Sequence, residues 1–248
     1  MDAPKLLEAL LKKKTWKARP IIISGNTDCY QPAEKQFEIT RKCLEVFLKY
    51  RHPVGIITKN ALVLRDLDIL KELNKLGLVA VNISITSLSE KTRRILEPRT
   101  VSIKKRLETV KILSDNNIPV NVMLAPIIPS INSHEILQMA VAASERGAVS
   151  IGHTIVRLNG TIGAIFTDWI KKTMPDRADK VLHQIEDCHG GKLNNSRYGT
   201  RMRGEGKIAE QINNMVKLAK QKYFKGKGMQ VLNTTLHEEY KQGQFKLF

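Results

Sequence analysis

The stretch "PVGIITKNALVLRDLDILKELNKLGLVAVNISIT", residues 53–86, reads as one complete strand–helix–strand unit. A short apolar run, "VGIIT", stops at Lys59 and Asn60. A helical pattern follows over 64–76, its apolar segment "LDILKELNKL" ended by Gly77, and a second apolar run covers 79–85. Two such runs joined through a helix make a parallel pair, the repeating unit of α/β folds.

The alternation continues in both directions. Strands are expected at 21–24, 54–58, 79–85, 120–125 and 150–156, with helical patterns over 34–50, 64–76, 89–96, 103–116 and 133–147. "NNIP" and Gly147 supply the stops before the last two strands. Right-handed crossovers between five strands fit either an open doubly wound sheet or part of a barrel. The chain reaches an amphipathic helix at 5–14 before any strand, so the first βα unit lacks its strand. That favours a partial (β/α)6 TIM-like barrel with the first strand missing. From Phe166 the pattern changes to helix, glycine turn, polar loop and helix. The expected division is therefore a barrel over 1–165 and a helical C-terminal extension over 166–248 packed on it.

Composition narrows the class. The 248 residues suit one large domain, and no apolar run reaches 18 residues. No leader pattern opens the chain, so a cytoplasmic protein with no membrane partner is expected. Cys29, Cys43 and Cys188 form neither CxxC nor CxxxCxxC, and the six histidines show no HxxxH or HxH spacing, so neither a disulfide framework nor a zinc site is indicated. The net charge of +17, with 41 Lys and Arg against 24 Asp and Glu, suits an acidic partner such as nucleic acid, or a solvated basic surface.

Function in parallel α/β folds collects beyond the carboxyl ends of the strands. The residues there are Ser24 to Asp28, then Thr58, Lys59 and Asn60, then Ser84, Thr86 and Ser87, then "APIIPSIN", then His153, Thr154, Arg157 and Asn159. Lys59, set directly after "GIIT", puts a cation at the mouth of the sheet for a carboxylate or phosphate, and Thr27 and Ser84 offer hydroxyls to the same group. In "EPRT", Glu97 and Arg99 are read either as a surface ion pair or as a site for an amine or ribose hydroxyl and a carboxylate. In "YGTRMRGEGK", Arg201 and Arg203 among glycines suit a phosphate, or else a basic loop that seals the barrel.

Several motifs taken in order, "GNTDCYQPAEKQFEITRKCLEVF", "PVGIITKNALVLRDLDIL", "VNISITSL", "LEPRT" with "KKRLETVKILSDNNIPV", "MLAPIIPSIN" and "NSRYGTRMRGEG", resemble the radical SAM proteins of the spore photoproduct lyase-related, DNA repair photolyase-like group. The resemblance implies a partial (β/α)6 barrel that binds S-adenosylmethionine and a [4Fe-4S] cluster and makes a 5′-deoxyadenosyl radical. It implies Thr27 and Asp28 at the methionine amino group, and Lys59 and Ser84 at its carboxylate or the ribose. Glu97 and Arg99 fall on the neighbouring edge, and Ala125, Pro126 and Ile127 at the adenine. The family's CxxxCxxC loop, whose three thiolates hold three irons, is absent, so the cluster ligands are expected on an upstream segment or fragment. Cys29 then reads as incidental, Cys43 as a helix-face residue and Cys188 as a residue of the tail. The competing expectation is a cluster-less, non-catalytic barrel that binds nucleic acid or a protein partner.

Overall fold

The computed structural model describes residues 2–243. In chain order it begins with α1 (Ala3–Leu11), β1 (Ile21–Ile23), α2 (Glu34–Phe37), α3 (Ile39–Lys49), β2 (Val54–Thr58), α4 (Leu67–Lys75) and β3 (Val79–Ser84). Then follow α5 (Glu90–Leu96), α6 (Ile103–Asp115), β4 (Val120–Ile127), α7 (Ile136–Glu145) and β5 (Ser150–Ile155). Four further helices complete it: α8 (Thr161–Thr173), α9 (Pro175–Asp187), α10 (Gly206–Tyr223) and α11 (Thr235–Lys241).

The strands form one sheet in the order β1-β2-β3-β4-β5, every neighbouring pair parallel. A doubly wound sheet reverses its order at a switch point. Here no reversal occurs, so each crossover steps the same way, the helices gather on one face and the sheet is a segment of a TIM-like barrel wall. Val54, Ile56, Val81, Ile83, Val122 and Leu124 meet Leu44 and Phe47 of α3, Leu70 and Leu73 of α4, Val110 and Leu113 of α6 and Met139 of α7 in one continuous core. The alternate positions Asn82 and Asn121 carry a side-chain ladder: Asn121 Nδ2 donates to Asn82 Oδ1 at 2.9 Å, and Asn82 Nδ2 to the Ile56 carbonyl at 3.0 Å.

Element ends differ from the sequence expectation for identifiable reasons. β1 stops at Ile23 because Ser24 turns to φ 90°. The helix expected over 34–50 is two helices broken at Glu38, φ 51°. α4 and α7 are each preceded by a 3-10 turn, Ala61–Asp66 and Ser133–Glu135. β4 runs on to Ile127 through an irregular register after Leu124. α8 spans the expected division at 165/166, and with α9 it buries Ile170, Val181 and Ile185 against Ile128, Val156 and Leu158. α10 packs on α7 and β5, and α11 is tied back by His237 Nδ1 to the Tyr50 carbonyl at 2.6 Å.

The two sheet edges are unlike. β1 pairs only with β2, and among the described residues its outer edge has no strand partner. A groove of about 460 Å³ runs along it, with an apolar wall of Leu7, Ile21, Ile23, Ile39, Cys43 and Phe47 and a polar end formed by Ser24 to Asp28 and Glu34. The β5 edge carries α10 beside it. No helix among the described residues is long and apolar enough to cross a membrane.

Candidate functional site

The carboxyl ends of β2 to β5 and the first turns of α8 enclose a cleft of about 500 Å³. Lys59 and Thr86 enter it from β2 and β3, Pro126 and Ile128 from β4, Arg157 from β5, and Phe166 and Trp169 from α8. The two aromatic rings lie 5.2 Å apart, tilted by 43°.

Glu97 is the polar centre of this cleft. Its Oε1 accepts Lys59 Nζ at 2.8 Å and Thr86 Oγ1 at 2.7 Å, while Oε2 accepts Arg106 Nη2 at 2.8 Å. Burial by itself would raise the Glu97 pKa, but Lys59, Arg106 and the Thr86 hydroxyl outweigh it, and the carboxyl is held below its usual range. Arg106, 1% exposed, also donates to the Ser84 carbonyl at 3.1 Å, to the Val101 carbonyl at 3.2 Å and to the Thr100 hydroxyl. One buried guanidinium thus fixes the end of β3 and the loop after α5 together.

The loop after β1 is held differently. Asp28 Oδ1 accepts the Thr58 hydroxyl at 2.7 Å and the Tyr30 N–H at 2.9 Å, and Oδ2 accepts the Lys59 N–H at 2.8 Å, so this carboxylate splices the ends of β1 and β2. Thr27 is exposed and lines the groove along β1. Below it, Asp66 is wholly buried and accepts Tyr30 Oη at 3.0 Å, Arg41 at 3.1 Å and Arg65 at 2.8 Å.

Of the residues marked by the sequence, Lys59, Thr86, Glu97, Pro126, Ile128 and Arg157 share the cleft, whereas Thr27 and Asp28 line the neighbouring groove along β1. Ser84 is buried at the end of β3, and Ala125 is half-buried beside Pro126. Ile127 is fully buried in the main core and paired with Ile155. Arg99 is exposed on the loop after α5, while Glu97 two residues earlier turns inward. Arg201 is exposed and stands 5.9 Å from the exposed Tyr198 ring, whereas Arg203 lines a second cleft against β5 and α10. The glycines between them and α10 serve packing. A Cβ on Gly204, φ 70°, would lie 2.9 Å from the Cys188 carbonyl and 3.0 Å from the Ala209 Cβ.

Sequence reasoning missed Arg106 and the aromatic wall. Arg106 had a signal: with Ile103, Val110 and Leu113 it occupies the buried stripe of α6 at helical spacing, and a cation there needs a partner. Phe166 and Trp169 had none, since their distance from the strand ends closes only through the fold.

The cysteines do not fit an iron-sulfur cluster. Cys29 and Cys43 line the groove along β1, while Cys188 is buried beyond α9. Burial, with Asp28 adding to it, pushes the Cys29 thiol up to about 12; burial pushes Cys43 and Cys188 up to about 11. No group of three His, Cys, Asp or Glu side chains among the described residues could hold a metal.

A singly wound parallel sheet with a polar centre at its carboxyl rim is a TIM-like barrel scaffold of the kind that carries its ligands on that rim. The chain belongs to the Radical SAM superfamily, whose family model matches residues 1–143. An uncharacterized protein of Methanocaldococcus jannaschii is 35% identical over 125 residues, 50% of this chain and 46% of the relative. An uncharacterized protein of Acidianus two-tailed virus is 34% identical over 129 residues, 51% of this chain and 42% of its own. The chain spans about half the length of these relatives. Spore photoproduct lyase, solved in complex with a dinucleoside spore photoproduct, superposes with a TM-score of 0.65 at 15% identity over 90% of this chain and 64% of the lyase. That likeness is one of fold.

Proposed function

We propose that this chain is the S-adenosylmethionine-binding part of a radical SAM protein acting on nucleic acid. The carrying observation is the cleft of about 500 Å³ in which Lys59, Thr86 and Glu97 meet an apolar and aromatic wall. S-adenosylmethionine joins a carboxylate and an ammonium to a flat nucleoside through a sulfonium. Lys59 suits the carboxylate, and Glu97 the ribose hydroxyls or a positive centre. Thr27 and Asp28, on the loop after β1 that Asp28 ties to the Lys59 N–H, are assigned to the amino group, and Ser84 stands behind. Pro126, with Ala125 beside it and Phe166 and Trp169 opposite, offers the adenine faces to stack on. Arg99 and Arg201 remain exposed cations at the margin for an anionic substrate. The +17 charge supports the nucleic-acid reading.

The [4Fe-4S] cluster that supplies this family's redox chemistry finds no ligand set in the described residues. We place its ligands on a segment that adds a strand to the free edge of β1, where the apolar groove awaits a partner. This chain's own part is to bind the cofactor, orient it and keep water from it.

Calorimetric titration of S-adenosylmethionine tests the reading. Saturable binding is expected, with Lys59→Met weakening it about tenfold, equivalent to about 1.4 kcal/mol. Absence of saturable binding to the folded chain would overturn it.

A further inference from the structure

The second cleft, about 560 Å³, lies between β5 and α10, away from the Lys59–Glu97 rim. Met123 and Gly152 line it from the sheet, His153 and Asn213 lie in its wall, and Arg203, Lys217 and Lys220 surround it. Its electrostatics are opposite in kind to those of the rim. Lys59 is matched by Glu97, whereas Arg203, Lys217 and Lys220 form no ion pair among the described residues. The segment that supplies them, 197–231, contains nine Lys and Arg against Glu205 and Glu210 alone, so the positive field is local.

The wall is built in place. His153 Nε2 meets Asn213 Oδ1 at 2.8 Å, and Asn213 Nδ2 donates to the Arg203 carbonyl at 3.2 Å, fixing the arginine loop to the middle of α10. Burial first, then the neighbouring Lys220 and Arg203, hold the His153 pKa below its usual value. Asn213, Lys217 and Lys220, at i, i+4 and i+7, occupy one face of α10 and span about 10 Å. With Arg203 on the loop that Asn213 holds, the two lysines make three cations from two segments, an arrangement suited to successive phosphates of one strand. The same loop presents Tyr198, 93% exposed, with the Arg201 guanidinium near its ring, a platform for an unpaired base.

We infer that the β5–α10 cleft anchors the phosphodiester backbone of a nucleic-acid strand, with Arg203, Lys217 and Lys220 as its phosphate contacts. The inference rests on the nucleic-acid part of the proposed function and adds where the strand's backbone is anchored: along the β5 edge, beside the rim. A small phosphate would need one or two of these cations. The lysines of α10, with Arg203 and Tyr198 on one loop, suit a polymer.

The test is fluorescence anisotropy of the full chain with a fluorescein-labelled dodecathymidylate, which requires neither cluster nor S-adenosylmethionine. Lys217→Glu/Lys220→Glu is compared with Lys104→Glu/Lys105→Glu, an equal charge change on exposed residues of α6. The cleft variant is expected to bind at least about tenfold more weakly, with a salt slope lower by about 1.4 for two lost single-strand phosphate contacts. The α6 variant is expected to stay within about twofold, since screening limits distant charges. Equal weakening in both variants would overturn the cleft while leaving the nucleic-acid reading standing. No binding by the unaltered chain at low salt would overturn both. Displacement by pyrophosphate as effective as by unlabelled oligomer, at equal phosphate, would overturn the strand assignment.

Discussion

The two edges of the sheet are chemically opposite. At the β1 edge a three-residue strand faces a groove with an apolar wall and, among the described residues, no cation lining it, and Ile22 remains 52% exposed. At the β5 edge, a six-residue strand meets α10, and the space between them is lined by cations and amides. An apolar edge with unpaired backbone groups is suited to another strand, whereas a covered, cationic edge is suited to an anion. Under the proposed function, the rim between them, centred on Glu97, is the place of the cofactor, with the cluster-bearing segment assigned to the first edge and the nucleic-acid strand to the second.

The largest effect that would break this contrast is expected under the β1 loop. Asp66→Asn removes the buried charge facing Arg41 and Arg65 and should cost about 3 kcal/mol in urea unfolding. A cost near zero would show that the network does not hold that end of the sheet. Next come paired glycine tests, one at each edge. Gly204→Ala meets the Cys188 carbonyl and the Ala209 Cβ in a left-handed conformation and should cost about 1–3 kcal/mol. Gly55→Ala meets only the end of the half-exposed Ile22 side chain, which can swing aside, so less than about 1 kcal/mol is expected. Equal costs would show that the packing around Gly204 is no tighter than that around Gly55.

Acid should act on the β1 side. His52 donates from Nδ1 to the Pro53 carbonyl at 2.9 Å and accepts Trp16 Nε1 at 3.0 Å, while burial first, then the adjacent His237, lower its pKa from 6.5 to about 4. The unfolded chain takes up this proton before the folded one does. Stability is therefore lost as pH falls from 6.5 towards about 4 and levels off below it. Unfolding of wild type and His52→Gln across that window checks the sign; parallel curves would remove His52 from the account. The smallest effect in stability is that of Ile22→Lys, within about 0.5 kcal/mol, accompanied by reduced self-association in light scattering because a lysine protects an open edge. Unchanged association would mean that the edge is not the adhesive surface.

Much of this architecture was legible in residues 53–86 and their repeats. β-branched runs broken by glycine and helical patterns announce parallel units, and the residues just after them gave Lys59 and Pro126 of the cleft. The early end of β1 was hidden because Ser24 carries no signal for its turn, and Glu38 none for the break between α2 and α3. The aromatic wall and the β5–α10 cleft bring together residues far apart in sequence, so only the fold assembles them. Arg203 was marked for its cations and glycines; the cation reading led to a cleft, while Gly204 proved to serve helix packing.

The most direct test of the central claim, that this chain supplies the cofactor rim without the cluster ligands, is anaerobic iron-sulfur reconstitution of the chain alone with iron and sulfide counted. The account predicts no stoichiometric cluster on a chain that still binds S-adenosylmethionine. A full [4Fe-4S] complement lost on replacing Cys29, Cys43 or Cys188 would contradict it.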